Sequence, residues 1–178
     1  MPNTKPPIFD ADTLDLALNA AKQKARCDYG QFVGAGPDNA ATAASLSGTA
    51  AGLKMYLDST FGELRLDDMS LWQPHFEKYP RNQPIVAHSE SRTMAAAILF
   101  AAMYDLSVHI AHVSLKEEIL VIKAAKERGI EITETRRSSS WMVPGARIAV
   151  RMTRRAAGSD FTPLRWIFPG DSLTAPSS

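Results

Sequence analysis

Three polar residues lie near the carboxyl ends of apolar segments that are typical of buried strands: Lys54 in GLKMYLD, His88 in QPIVAHS and His112 in SVHIAHV. Imidazole nitrogens are common zinc ligands, and two of them on neighbouring strands could hold one ion. A lysine ammonium cannot bind a metal, because it has no free lone pair. Its neutral amine can take up carbon dioxide to form a carbamate, an anionic bidentate group that can bridge two cations. These residue types indicate metal chemistry.

Each of these residues also has a structural interpretation. A single strand histidine is more often a hydrogen-bonded core residue than a ligand. A lysine in an apolar run lies most often at a sheet edge, with its amine in solvent. Because an unpaired ammonium in a core is too costly, Lys54 is either an edge residue or a residue with chemistry. The three residues together favour chemistry, whereas we interpret His109 as structural and His75 as a surface helix residue.

Helices alternate with the strands that carry these residues. The patterns predict strands over 27–35, 52–58, 83–89, 107–113 and 130–133, and helices over 10–25, 39–51, 70–79, 91–104 and 114–129. Asp10 or Asp12 is placed to cap the first helix and Asp38 the second, and Glu117 is expected to complete a capping box with Ser114. Strands recurring about every 25–30 residues are typical of right-handed βαβ units in a parallel sheet. The alternative is an open doubly wound sheet. The nucleotide-binding form of that sheet is not supported, because no Gly-rich fingerprint follows any predicted strand of this sequence.

The composition is that of a globular protein with one sizeable core. Of 178 residues, 45% are hydrophobic and 22% charged, and the formal net charge of +1 favours neither a nucleic-acid nor a membrane partner. Cys27 is the single cysteine, so it cannot form an internal disulfide. The first residues lack the apolar core of a signal peptide, and we expect a cytoplasmic protein.

The regular pattern stops after Glu134. Residues 135–178 contain seven arginines, no lysine and two aspartates, with Ser-rich and Pro-rich pieces and no sustained period. We interpret this segment as an irregular tail that is disordered or arises from a gene-model artefact. The arginines lie on no recognisable element and have no aromatic stacking platform, so a nucleic-acid role is not supported.

Several longer stretches closely resemble the dihydroorotase family, in the form fused into the multifunctional enzymes that begin pyrimidine biosynthesis in animals and related eukaryotes. They cover residues 1–134 nearly continuously and include MPNTKPP, CDYGQFVGA, AGLKMYLDSTFGELRLDD, PIVAHSE and VHIAHVSLKEEILVIKAAKERG. The resemblance implies a zinc amidohydrolase on a (β/α)8 TIM-type barrel, of which this chain would form about five βα units. The implied reaction is the reversible cyclisation of N-carbamoyl-L-aspartate to dihydroorotate. The implied partners are this substrate, fused carbamoyl-phosphate synthetase and aspartate carbamoyltransferase domains, and further copies of the chain.

By this resemblance, Lys54 matches the carbamylated lysine that bridges two zinc ions, and His88 and His112 match ligands of the second zinc. Asn3 matches an asparagine that helps to hold the substrate carboxylate. The family's H-x-H pair would precede MPNT, and its general-base aspartate lies in a DHAP-like motif that this sequence does not contain. Ala111 stands where animal members have a cysteine. We therefore expect no retained catalytic residue and no dihydroorotase turnover by this polypeptide alone.

Two interpretations of function follow from the resemblance. The chain is either a fragment of an active dihydroorotase or part of an inactive dihydroorotase-like domain that serves as a spacer between other enzymes. Retention of the lysine and both histidines favours the first. A dihydropyrimidinase or hydantoinase relative would share these three residues, but ELRLDD and HVSLKEEILVIKAAK resemble dihydroorotase more closely.

Overall fold

The computed structural model describes residues 4–60 and 63–136. These residues form an α/β fold around a five-stranded sheet in which every neighbouring pair of strands is parallel. The predicted α/β fold class is confirmed. We interpreted residues 135–178 as an irregular tail. Residues 135–136 belong to the last strand of the sheet, and residues 137–178 lie outside the described residues.

Strands and helices alternate along the chain, and the strand order in the sheet is the chain order. A doubly wound sheet reverses its order at a switch point, whereas a (β/α)8 barrel adds each strand beside the last, as here. The elements are α1 (Ala11–Lys24), β1 (Val33–Gly34), α2 (Ala40–Ser45), β2 (Leu53–Tyr56), a 3-10 turn (Met69–Leu71), α3 (Gln73–Lys78), β3 (Ile85–His88), α4 (Ser91–Tyr104), β4 (Val108–Val113), α5 (Lys116–Glu127) and β5 (Ile132–Arg136).

The first helix begins as the sequence predicts. Asp10 caps α1 by accepting the N–H of Thr13 at 2.9 Å, and the Thr13 hydroxyl accepts the N–H of Asp10 at 3.2 Å. The predicted cap of α2 by Asp38 is wrong, because Asn39 holds the N-cap position and makes no side-chain bond to the helix. Its amide instead bonds three backbone groups outside the helix, at Phe9, at Gly34 in β1 and at Gly36.

The capping residue of α5 is displaced by one position from the prediction. Glu118, and not Glu117, accepts the N–H groups of Ser114 and Leu115, at 3.1 and 3.0 Å. The sequence SLKEE offers two adjacent glutamates, and burial selects between them, because Glu118 is 3% exposed while Glu117 lies in solvent.

The strands are shorter than, or shifted from, their predicted spans. The segment predicted over 27–35 is a strand only at Val33–Gly34, and residues 27–30 are exposed. The last strand, predicted over 130–133, runs from Ile132 to Arg136. Exposed polar positions at the start of the first segment have no core to pack against, which explains its contraction.

The two faces of the sheet differ in character. Residues in register across the three central strands alternate between an apolar face, which is fully buried, and a mixed face. The apolar set is Leu53, Met55, Ile85, Ala87, Val108 and Ile110. The mixed set is Lys54, Tyr56, Val86, His88, His109 and Ala111. The apolar set belongs to the hydrophobic core, so the polar side chains are confined to the opposite face.

Candidate metal-binding site

Lys54 lies inside the sheet and not at its edge. Its strand, β2, pairs with β1 on one side and β3 on the other, and its side chain is 1% exposed. Nζ lies 3.5 Å from the carbonyl oxygen of Met55 and 4.7 Å from the ring centre of Tyr56. None of the ion pairs among the described residues includes it. Burial lowers the pKa of Lys54 to about 8, which makes the neutral amine accessible near neutral pH.

His88 and His112 lie side by side. Their ring centres are 5.6 Å apart in an edge-to-face arrangement. Two imidazoles that bind one tetrahedral zinc ion through bonds of about 2.0–2.1 Å have ring centres about 5 Å apart. The pair therefore fits a shared zinc ion, and we infer that this ion would be held by one nitrogen from each ring.

An irregularity in β4 brings His112 to this face. Because Ala111 is in register with His88, regular alternation would direct His112 to the apolar side. The pairing with β5 shifts between Ile110 and Val113, where β4 carries one extra residue, and His112 has a left-handed φ of 66°. Such backbone costs about 1–3 kcal/mol, and it is enriched at functional sites.

Tyr56 connects the lysine to the histidine pair. Its ring centre lies 4.7 Å from Nζ of Lys54 and 6.2 Å from the ring centre of His88, with which it is in register. Sequence analysis did not single out this residue. Period-two alternation from Lys54 would have found it, since residues two apart on a strand share a face.

His109 also lies on the mixed face. It is in register with Val86 on β3, which is in register with Lys54 on β2. Its Nδ1 is 2.8 Å from the hydroxyl of Thr133. Burial, and next the charge of Lys54, lower the pKa of His109 and favour a neutral imidazole. The hydrogen bond accounts for this residue without a metal, so its structural role stays our prediction.

The remaining predicted positions fall away from this cluster. The prediction that His75 is a surface residue is wrong: it is 1% exposed, and its Nε2 bonds the carbonyl oxygen of Gly36 at 2.8 Å. Asn3 lies outside the described residues. Within residues 4–60 and 63–136, no third His, Cys, Asp or Glu joins the two histidines in a metal-ligating group. No helix in this described part is long and apolar enough to cross a membrane.

The chain is similar in sequence and in fold to known proteins. No family model matches the chain. Over 133 residues the chain is 49% identical to multifunctional protein CAD of Squalus acanthias, a match that spans 75% of this chain and 6% of that protein. The fold matches an inactive dihydroorotase-like domain of a CAD-like multifunctional protein from Chaetomium thermophilum, with a TM-score of 0.66 at 24% identity, over 75% of this chain and 40% of that one. The chain is thus similar in sequence to a small part of CAD-type multifunctional proteins, and in fold to a dihydroorotase-like domain of such a protein.

Fold similarity alone does not separate dihydroorotase-like domains from hydantoinases as relatives of this chain. An L-hydantoinase from Arthrobacter aurescens gives the same TM-score of 0.66, at 17% identity, over 75% of this chain and 38% of that one. Sequence separates them, because the identity to the CAD protein is 49% over a similar share of the chain. The chain thus shares its α/β fold with both kinds of protein, whereas its sequence is more similar to the CAD protein.

Proposed function

We propose that this dihydroorotase-like segment supplies Lys54, His88 and His112 as ligands of a zinc centre, and that its parent protein uses that centre in the reversible cyclisation of N-carbamoyl-L-aspartate. The observation that carries the proposal is the paired imidazoles of His88 and His112, brought together by a strained irregularity in β4. A core without a site would have no need of this distortion, since regular alternation buries apolar side chains at lower cost.

Each residue has a distinct role in this proposal. The two histidines would bind in their neutral form, each through one ring nitrogen. Lys54 would act as a carbamate: its neutral amine forms a bond to the carbon of carbon dioxide and releases one proton, which leaves an anion with two oxygen ligands. Zinc, when bound, supplies Lewis-acid polarisation of the amide carbonyl. Burial of the lysine supports the carbamate, because an ammonium there has a single long hydrogen bond to the residues that the structure describes.

A second candidate function is non-catalytic. The similar structure from Chaetomium thermophilum is an inactive dihydroorotase-like domain, which shows that this fold occurs without turnover. A spacer would have no requirement for zinc, whereas a segment of an active enzyme would. Zinc affinity therefore discriminates between the two functions more directly than turnover, which we expect to be absent in the 178-residue chain alone.

Zinc titration of the purified chain in bicarbonate buffer tests the proposal. We expect one tightly bound zinc ion in the unmodified protein, and at least a tenfold weaker affinity in His88→Ala and His112→Ala. The matched control is His75→Gln, which removes an imidazole from a buried position elsewhere and keeps a donor for Gly36. Equal zinc affinity in the control and both ligand variants would refute the proposed centre. Turnover of carbamoyl aspartate by the zinc-loaded chain would refute the expectation that it is inactive alone.

A further inference from the structure

Glu118 is a buried carboxylate that connects the loops after β3 and β4. Its Oε1 accepts the N–H of Ser91 at 2.8 Å, and its Oε2 accepts the N–H of Ser114 at 3.1 Å and that of the next residue at 3.0 Å. Ser91 lies three residues after His88, and Ser114 lies two residues after His112. One side chain, only 3% exposed, thus holds the backbone of both loops that follow the histidines.

Asp58 makes a similar connection between the loops after β2 and β3. It lies two residues beyond the end of the strand that carries Lys54. Its Oδ2 accepts the N–H of Glu90 at 2.6 Å and a short hydrogen bond from the hydroxyl of Thr93. Asp58 and Glu118 therefore bind consecutive N–H groups where α4 begins, Asp58 from the loop after β2 and Glu118 from the first turn of α5.

These bonds do more than cap a helix. An ordinary capping residue bonds N–H groups of its own helix, whereas the bond from Ser91 to Glu118 crosses 27 residues and that from Glu90 to Asp58 crosses 32. Ser91 has a left-handed φ of 47°, a conformation that needs outside support in a residue other than glycine. Burial raises the pKa of Glu118, but its three backbone hydrogen bonds together lower that pKa by more than burial raises it. The carboxylate therefore stays charged.

We propose that Asp58 and Glu118 form a carboxylate brace that positions His88 and His112 for one metal ion and fixes the strand of Lys54 beside them. The inference rests on the proposed zinc centre and deepens it. Among the described residues, neither carboxylate forms a metal-ligating group with the two imidazoles, so we assign both as positioning residues. Groups that orient metal ligands from outside typically contribute about 10–100-fold to metal affinity.

The brace is tested with charge-removing variants and exposed controls. Glu118→Gln replaces one acceptor oxygen with an amide nitrogen that cannot accept from the backbone, and Glu117→Gln changes the exposed neighbour. Asp58→Asn is matched with Asp15→Asn, an exposed position on α1. We expect each brace variant to bind zinc at least tenfold more weakly than its control. In the metal-free chain, we expect loss of the NMR cross-peaks between the rings of His88 and His112.

A merely structural role predicts a different result. Leu14→Ala removes a buried side chain of α1 and lowers stability without touching the loops. If it weakens zinc binding as much as Glu118→Gln at matched folded fraction, or if both brace variants keep the affinity and ring cross-peaks of their controls, the proposal is overturned. Should Glu118→Gln not fold, Asp58→Asn alone decides. If the unmodified chain binds no zinc, the proposed centre fails, while the ring cross-peaks still test the brace.

Discussion

Replacement of Gly52 by alanine should destabilise the sheet at the point where the strand of Lys54 enters it. Gly52 has φ of 151°, a region that L side chains rarely adopt. An added Cβ would lie 2.6 Å from the carbonyl oxygen of Pro84 and 2.9 Å from Cε1 of Phe32. The same carbonyl accepts the N–H of Leu53 at 3.0 Å, so relief of the clash would weaken the ladder between β2 and β3.

The magnitude follows from these two contributions. Unfavourable φ costs about 1–3 kcal/mol, and loss of the Leu53 hydrogen bond costs about 0.5–1.5 kcal/mol. We therefore expect Gly52→Ala to lower the free energy of unfolding by about 1.5–4.5 kcal/mol. That is a large share of the roughly 5–15 kcal/mol typical of a folded domain.

Urea denaturation followed by circular dichroism measures this loss, and Gly48→Ala is the matched control. Gly48 is exposed, and a Cβ there meets no atom within 4 Å. We expect the control to change stability by less than about 0.5 kcal/mol, as is usual for surface substitutions. Equal midpoints for the two variants, with equal denaturant slopes, would show that the close approach at Gly52 does not constrain the sheet.

Two further predictions concern buried titratable groups of the metal-free chain. Lys54→Met should raise the free energy of unfolding by about 1–3 kcal/mol in urea denaturation, because it removes a buried amine that has one long hydrogen bond within the described part of the chain. A loss of stability would contradict this. Burial lowers the pKa of His75, whose Nδ1 is buried without a partner among the described residues, so the unfolded chain binds its proton more readily. Stability should therefore fall as pH drops below about 6.5, and less steeply in His75→Gln; identical slopes in the two proteins would refute the assignment.

Much of the fold could be predicted from local patterns. The helix predicted over 91–104 is α4 residue for residue, because its apolar run follows a strand directly and ends where Asp105 adopts a left-handed conformation. The helix predicted over the alanine-rich segment 39–51 is too long. Alanine favours helix throughout this segment, whereas only Ala40–Ser45 is helical. Turn formation before β2 limits that helix, and composition does not show it.

The site was predictable in its residue types but not in its geometry. Lys54 and His88 could be found by their place in apolar strands. The position of His112 depends on the register shift in β4, which is a property of pairing with β5 and has no local sequence signal. Likewise, SLKEE does not reveal that Glu118 reaches Ser91, because that bond depends on the packing of two successive βα units.

The state of Lys54 in the zinc-bound protein is the most direct test of the proposed centre. Carbon-13 NMR of the full chain in labelled bicarbonate measures it directly, with Lys54→Met as the control. We predict one carbamate resonance that grows and saturates with added zinc and is absent from the control. Zinc bound at His88 and His112 without this resonance, at equal affinity in both proteins, would contradict the proposed role of the buried lysine.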